Sequence, residues 1–168
     1  EWASSPGPYE VYDGDVDDAA NYLSTLDGTQ AIMFSTRYYR HYTVLFVERR
    51  SLDLRWFDGR QSLPLPEPDG RDVVYVFPAS AMPARGILDG VLGRENLVGE
   101  GRGPQGQLSF LVYRLGVEKM ARARASLVPP RPLAEKVGRE LELLGYQIGE
   151  TAAVSRAEVQ PGGTLPLT

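Results

Sequence analysis

"TQAIMFSTRYYRHY", residues 29–42, decides how the chain is read. Its first half is a short apolar run of the kind that lies buried on both faces of a parallel sheet. Its second half is polar and aromatic, and Ser35 or Thr36 stands where a helix would be capped. The spacing predicts a helix from about Arg37 to Glu48 with Tyr38, Tyr42 and Leu45 on one stripe. A strand, a tight connection and a helix make the first half of a βαβ unit.

Toward the N-terminus, "SSPGP" reads as a loop. "DGDVDD" then leads into Val16, Ala19, Ala20 and Leu23, spaced i, i+3, i+4, i+7. That spacing predicts a helix with one apolar face, in which the aspartates cap the positive end and "LDG" at 26–28 is the stop.

Toward the C-terminus, "LRWF" at 54–57 is a second strand ended by Asp58-Gly59, and "LPLPEPDG" is a proline-rich loop. "DVVYVFP" repeats the buried-strand pattern, and Ser80 with Pro83 opens a short helix through about Leu92. "ENLVGEG" and "QLSFLVYRL", joined by "RGPQG", read as a hairpin at the sheet edge. After the charged stretch "VEKMARARA", three prolines within 129–132 predict a stiff linker. "RELELLGYQI" and "RAEVQPGGTLPLT" then read as two strands.

The expected fold is α/β: a layered, flavodoxin- or Rossmann-like, mostly parallel sheet with an edge hairpin, followed by a short β segment. The expected organisation is an α/β domain over 1–128, a linker over 129–132, and the first strands of a truncated β domain over 133–168. The opening Glu1-Trp2, without initiator methionine or signal peptide, reads as excised from something longer.

Composition narrows the function classes. A net charge of -4 with no lysine or arginine block argues against nucleic acid. The absence of cysteine removes disulfides, thiolate catalysis and cysteine-ligated zinc. No run of about 18 or more apolar residues occurs, so the fragment is expected not to insert into a membrane.

Three motifs fall to plainer readings. "GRGPQG" at 101–106 matches G-x-G-x-x-G, but a strand pattern follows it where a phosphate-binding loop needs a helix, so it reads as a hairpin loop. Asp13, Asp15 and Asp17 alternate like the start of a calcium loop. The sixth position, however, is Asp18 rather than glycine and the twelfth is Ser24 rather than glutamate, so no metal is expected. His41, the only histidine, has no partner identifiable from sequence and reads as structural. Neither a cofactor nor a catalytic residue is expected.

The remaining candidate is a ligand crevice beyond the carboxyl ends of the strands, where open α/β sheets bind. Ser35, Arg37 and His41 follow the first strand, and Asp58 and Arg60 follow the second. Helix amides and an arginine there could hold an anion. Trp56 and Phe57 are a weaker candidate, as a sugar-stacking platform.

The succession "YEVYDGDVDDAANYL", "FSTRYYRHYTVLFV", "LRWFDGRQSLPLP", "VVYVFPA", "LELLGYQI" and "PGGTLPLT" resembles the extracytoplasmic C-terminal portion of bacterial polytopic glycosyltransferases. These are enzymes similar to dolichyl-phosphate-mannose protein mannosyltransferases, which take sugar from a polyprenyl-phosphate carrier. The resemblance implies a non-catalytic accessory domain at the extracytoplasmic face of the bacterial cell membrane. Its implied partners are the transmembrane part of the same polypeptide and a glycan or lipid-linked sugar. The catalytic acids of that family are expected in transmembrane-region loops, so none is carried over to this chain. The alternative is a free-standing carbohydrate- or anion-binding module.

Overall fold

A computed structural model describes residues 9, 11–47 and 52–127, and the strand paths of 131–137 and 141–146. Its elements are α1 (Gly14–Leu23), β1 (Ala31–Ser35), α2 (Tyr42–Val47), β2 (Asp53–Phe57) and β3 (Val73–Pro78), then α3 (Arg85–Leu88), β4 (Leu97–Arg102), β5 (Leu108–Leu115), α4 (Val117–Ser126), β6 (Arg131–Val137) and β7 (Leu141–Tyr146). The fold is α/β, built on a five-stranded mixed sheet in the order β2-β1-β3-β5-β4. β1 pairs in parallel with both β2 and β3, while β5 pairs antiparallel with β3 and β4.

Side-chain alternation along the central strands sorts the core into two clusters. Ile32, Phe34, Val74, Val76 and Val112 pack with Val16, Ala19, Ala20 and Leu23 of α1 and with Val44 of α2. Ala31, Met33, Tyr75, Phe77, Leu111 and Tyr113 pack with Leu88, Leu92, Met120 and Ala123. Because both faces are covered, β1 and β3 are buried along their whole length, which is why they appear in sequence as unbroken apolar runs. The four apolar residues predicted for the first helix are all buried.

Aromatic packing dominates the second cluster. Phe77 stacks on Tyr75 at 5.9 Å and meets Phe57 and Tyr113 edge-on at 5.8 and 6.2 Å. The proline-rich loop closes over these rings: Leu63 and Leu65 pack on the cluster, and the Tyr75 hydroxyl donates to the Pro64 carbonyl at 2.8 Å. Trp56 packs instead on Phe34 in the first cluster. Neighbouring residues of a strand face opposite sides, so Trp56 and Phe57 do not form one stacking platform.

The edge hairpin is β4–β5, with two irregularities of register. Gly101 is required there, since a Cβ would lie 2.1 Å from the Phe110 ring. "GRGPQG" forms the end of β4 and the loop into β5, closed by the Gly103 and Gln107 backbones. Its glycines open no helix, the element that a pyrophosphate-binding loop of this pattern leads into.

Several predicted helices differ from those observed. The helix expected over 37–48 begins only at Tyr42 and runs to Val47. Tyr38, Tyr42 and Leu45, its supposed inward stripe, are exposed, and Val44 is buried instead. The helix expected from Ser80 to Leu92 is broken into a 3-10 turn at Ala79–Ala81, the short α3, a π turn at Asp89–Gly93 and a 3-10 turn at Arg94–Asn96. "VEKMARARA" is helical (α4), although only Met120 and Ala123 turn inward.

Contacts divide the chain into two units, Glu1–Arg124 and Ala125–Thr168. In the second, β6 and β7 pair antiparallel in a two-stranded sheet of their own. Arg131 and Pro132, which the sequence places in the linker, are the first residues of β6, and "RELELLGYQI" supplies β7. The strand expected within 156–168 and the opening loop lie outside the described residues.

Candidate functional site

The connections that leave β1 and β3, two neighbouring parallel strands, run to opposite faces of the sheet. α2 packs through Val44 on the α1 side, whereas the segment after β3 packs through Leu88 and Leu92 on the other. Such a divergence opens a crevice at the carboxyl ends of the two strands. A cavity of about 380 Å³ lies there, lined by Tyr9, Asp13, Asp15, Arg37, Ala79, Ser80, Gln107 and Leu108.

Its wall is organised around the Ser80 peptide. The Asp15 carboxylate accepts from the Ser80 N–H at 2.7 Å, and Arg37 Nε donates to the Ser80 carbonyl at 2.8 Å. The start of α1, the end of β1 and the end of β3 are thereby joined at one point. Tyr9 closes another side: its hydroxyl donates to Asp18 at 2.6 Å and lies 2.8 Å from the Ser109 hydroxyl, which also donates to Asp18. Burial and the Asp18 hydrogen bond push the Tyr9 phenol up to about 12.

The sequence-predicted residues separate into four roles. Ser35 is fully buried, donates to the Ala81 carbonyl and accepts from the Gly59 N–H at 2.9 Å. It clasps the ends of β1, β2 and β3 together and is shielded from solvent. Arg37 alone of the five lines the cavity. His41 lies beside it, with Nε2 at 3.3 Å from Asp13 Oδ2. This partner lies 28 residues away in sequence, where no local spacing identifies it. Asp58 and Arg60 pair with each other, at 2.7 and 3.0 Å, rather than lining the cavity. Arg60 holds the Asp58 carboxyl below its ordinary range.

The aspartates of "DGDVDD" are likewise not plain helix caps. Asp13 occupies the N-cap position without a side-chain cap bond, and Asp13, Asp15 and Asp18 each reach to a different element. Asp13 and Arg40 are the described non-glycine residues with left-handed backbone, at φ 53° and 57°, and they flank the Asp13–His41 contact. Each such residue costs about 1–2 kcal/mol, so surrounding contacts must hold it in place. No group of three metal-ligating side chains occurs among the described residues.

Asp17 has its Oδ1 buried without a hydrogen-bond partner. Burial raises its carboxyl above the ordinary 3.8, although a Thr43 hydrogen bond and His41 pull the other way. A raised folded-state value means that its contribution is full below 3.8 and is lost as pH rises through the folded value. The ionised group thus weakens the fold at neutral pH. Asp17→Asn, which can still accept from Thr43, is expected to raise Tm at pH 7, with the gain closing toward pH 4. Thermal melts across that range check it, and an equal or lower Tm at pH 7 would count against the assignment.

A second cavity, of about 460 Å³, is lined by Asp72, Asn96, Arg114 and Lys119 among others. Its cations are already engaged, Arg114 with Asp72 at 2.8 Å and Lys119 with Asn96. The Arg37 crevice differs in that its guanidinium bonds to the neutral Ser80 carbonyl and to no carboxylate among the described residues.

Its chemistry is mixed. One guanidinium stands with two carboxylates, a carboxamide, a serine and a phenol, beside the apolar Leu108 and Ala79. Hydroxyl groups, which both donate and accept, match such a lining. A lone anion does not, because two carboxylates oppose it and the expected helix amides are absent: the Tyr38 N–H is turned to Thr36 Oγ1 at 3.2 Å and α2 opens only later. Comparison with known protein families, characterised proteins and solved structures finds no match.

Proposed function

We propose that this chain is a non-catalytic, sugar-binding accessory domain of a membrane glycosyltransferase that uses a lipid-linked donor. In this reading the sheet is a layered, flavodoxin- or Rossmann-like one, and the crevice between the ends of β1 and β3 is its binding mouth. The observation that carries the sugar reading is the lining itself, with Arg37 opposed to Asp13 and Asp15 at the divergence of two parallel strands. The membrane-enzyme reading rests on the resemblance of residues 9–79 and 141–168, and places the domain at the extracytoplasmic face beside the transmembrane part of its own polypeptide.

The local chemistry supports binding without turnover. His41 and Asp13 form an acid–base pair, but no nucleophile stands within hydrogen-bond reach of them among the described contacts. The isolated chain is expected not to move sugar from a polyprenyl phosphate, and transfer by it would overturn this reading.

Titration with a panel of neutral hexoses and short glycans tests the binding. Arg37→Ala is expected to weaken the best ligand about tenfold, the loss of one charge-assisted hydrogen bond of about 1.5 kcal/mol. Because Arg37 is exposed, its fold should melt within a few degrees of the parent. Equal affinity of parent and variant would remove Arg37 from the site. Flat titrations across the panel would sink the sugar reading in favour of a domain that braces the transmembrane part.

A further inference from the structure

Beside the crevice the surface changes character. Tyr38, Tyr39, Tyr42 and Phe46 are 63, 75, 89 and 80% exposed, and Val11 and Tyr12, 73 and 65% exposed, lie just before Asp13, which joins this loop through His41. An aromatic group this exposed has not been spent on the core. Tyr42 and Phe46 are one helical turn apart and share a face of α2.

The charges sort in the same direction. Between residues 37 and 47 two arginines stand with no acidic residue, in a chain whose net charge is -4. Arg37 and Arg40 are exposed, and the Arg40 guanidinium lies 5.4 Å from the Tyr39 ring centre. The nearby acids are turned inward or engaged: Asp15 is 8% exposed, Asp18 holds Tyr9 and Ser109, Asp13 holds His41, and Asp17 is partly buried. The surface therefore presents tyrosine and phenylalanine rings among outward arginines.

Rings with an apolar body and a polar tip, set among arginines, match the headgroup zone of a bilayer. Arginine also selects anionic lipid, at about 1 kcal/mol for each basic residue near the surface. The geometry points to residues 37–46, with Val11 and Tyr12, as a docking surface for an anionic lipid bilayer. The domain lies on the headgroups through this ledge without inserting, and the sugar crevice opens at its border. The inference stands on exposure and charge, independently of what the crevice holds.

Co-sedimentation of the full chain with vesicles tests it, using phosphatidylcholine alone and phosphatidylcholine with phosphatidylglycerol. At low salt, the chain is expected to sediment at least about fivefold more with the anionic vesicles, and 0.5 M salt should release it, the range where surface attraction is screened. The double variant Tyr42→Ser with Phe46→Ser removes only exposed rings. It should keep the parent's circular dichroism and lose most of the sedimentation. Three results would overturn the inference: no binding to either vesicle, equal binding to both, or full binding by the double variant. Concentration-dependent dimerisation that the same variant abolishes, without vesicle binding, would assign the ledge to a second copy instead. Sugar titration of the double variant keeps the two readings apart, because the substitutions at Tyr42 and Phe46 leave Arg37 in place and neither residue lines the crevice.

Discussion

Phe77→Ala is expected to cost about 3–5 kcal/mol, the usual penalty for emptying a buried phenylalanine site. The ring is fully buried and lies against Phe57, Tyr75 and Tyr113 at once. Those neighbours are themselves tied down: Tyr75 donates to Pro64 and Tyr113 donates to Asp89 at 2.7 Å. They cannot collapse into the space without giving up those bonds, so the cavity persists. Chemical denaturation should show a lower midpoint with a preserved slope. A loss below about 1 kcal/mol would mean that the proline-rich loop is not packed on the sheet as described.

Gly59→Ala is expected to cost about 2–3 kcal/mol, although it adds one methyl group. The new Cβ would stand 2.7 Å from both the Ala81 carbonyl oxygen and Ser35 Oγ. Neither can retreat freely. Ser35 is already bonded to both strand ends, and shifting it leaves the Gly59 N–H or the Ala81 carbonyl without its partner. The control is Gly86→Ala, where a Cβ meets nothing within 4 Å and the residue sits in a helical turn. That variant should be neutral or slightly stabilised. The same substitution at two glycines thus separates a steric clasp from a general intolerance of glycine replacement. Equal small effects at both would dissolve the clasp.

Legibility in the sequence followed which surfaces each element buries. β1 and β3 could be read because burial on both faces leaves no polar residue to interrupt "AIMFS" or "VVYVFP". α1 could be read because one apolar stripe faces the sheet and nothing else competes for it. The inward face of α2 is not legible, because tyrosine at helical spacing resembles a core stripe while its amphipathic ring is equally at home in solvent. Among the residues of that helix with described burial, Val44 is the one that turns inward. α4 is not legible, because just Met120 and Ala123 reach the core among charged neighbours, too few to mark a period.

The site was legible in position rather than composition. Arg37 is expected at a crevice because it follows a strand end of an open α/β sheet, and it lines a cavity there. Asp13 and Asp15 looked like caps because an aspartate before a helix ordinarily is one; their reach to His41 and Ser80 is a tertiary fact. Gln107 enters from the hairpin loop, 70 positions after Arg37, and no local spacing announces it. Ser35 holds three strand ends together, a role that the sequence around it does not distinguish from contact with a ligand.

Mapping amide shifts in the ¹H–¹⁵N spectrum during a glycan titration tests the proposed sugar site between the ends of β1 and β3. Saturable shifts centred on Asp13, Asp15, Arg37, Ser80 and Gln107, and lost in Arg37→Ala, are expected. Shifts centred instead on Asn96, Arg114 and Lys119 around the other cavity, or none with any glycan, would contradict the proposed site.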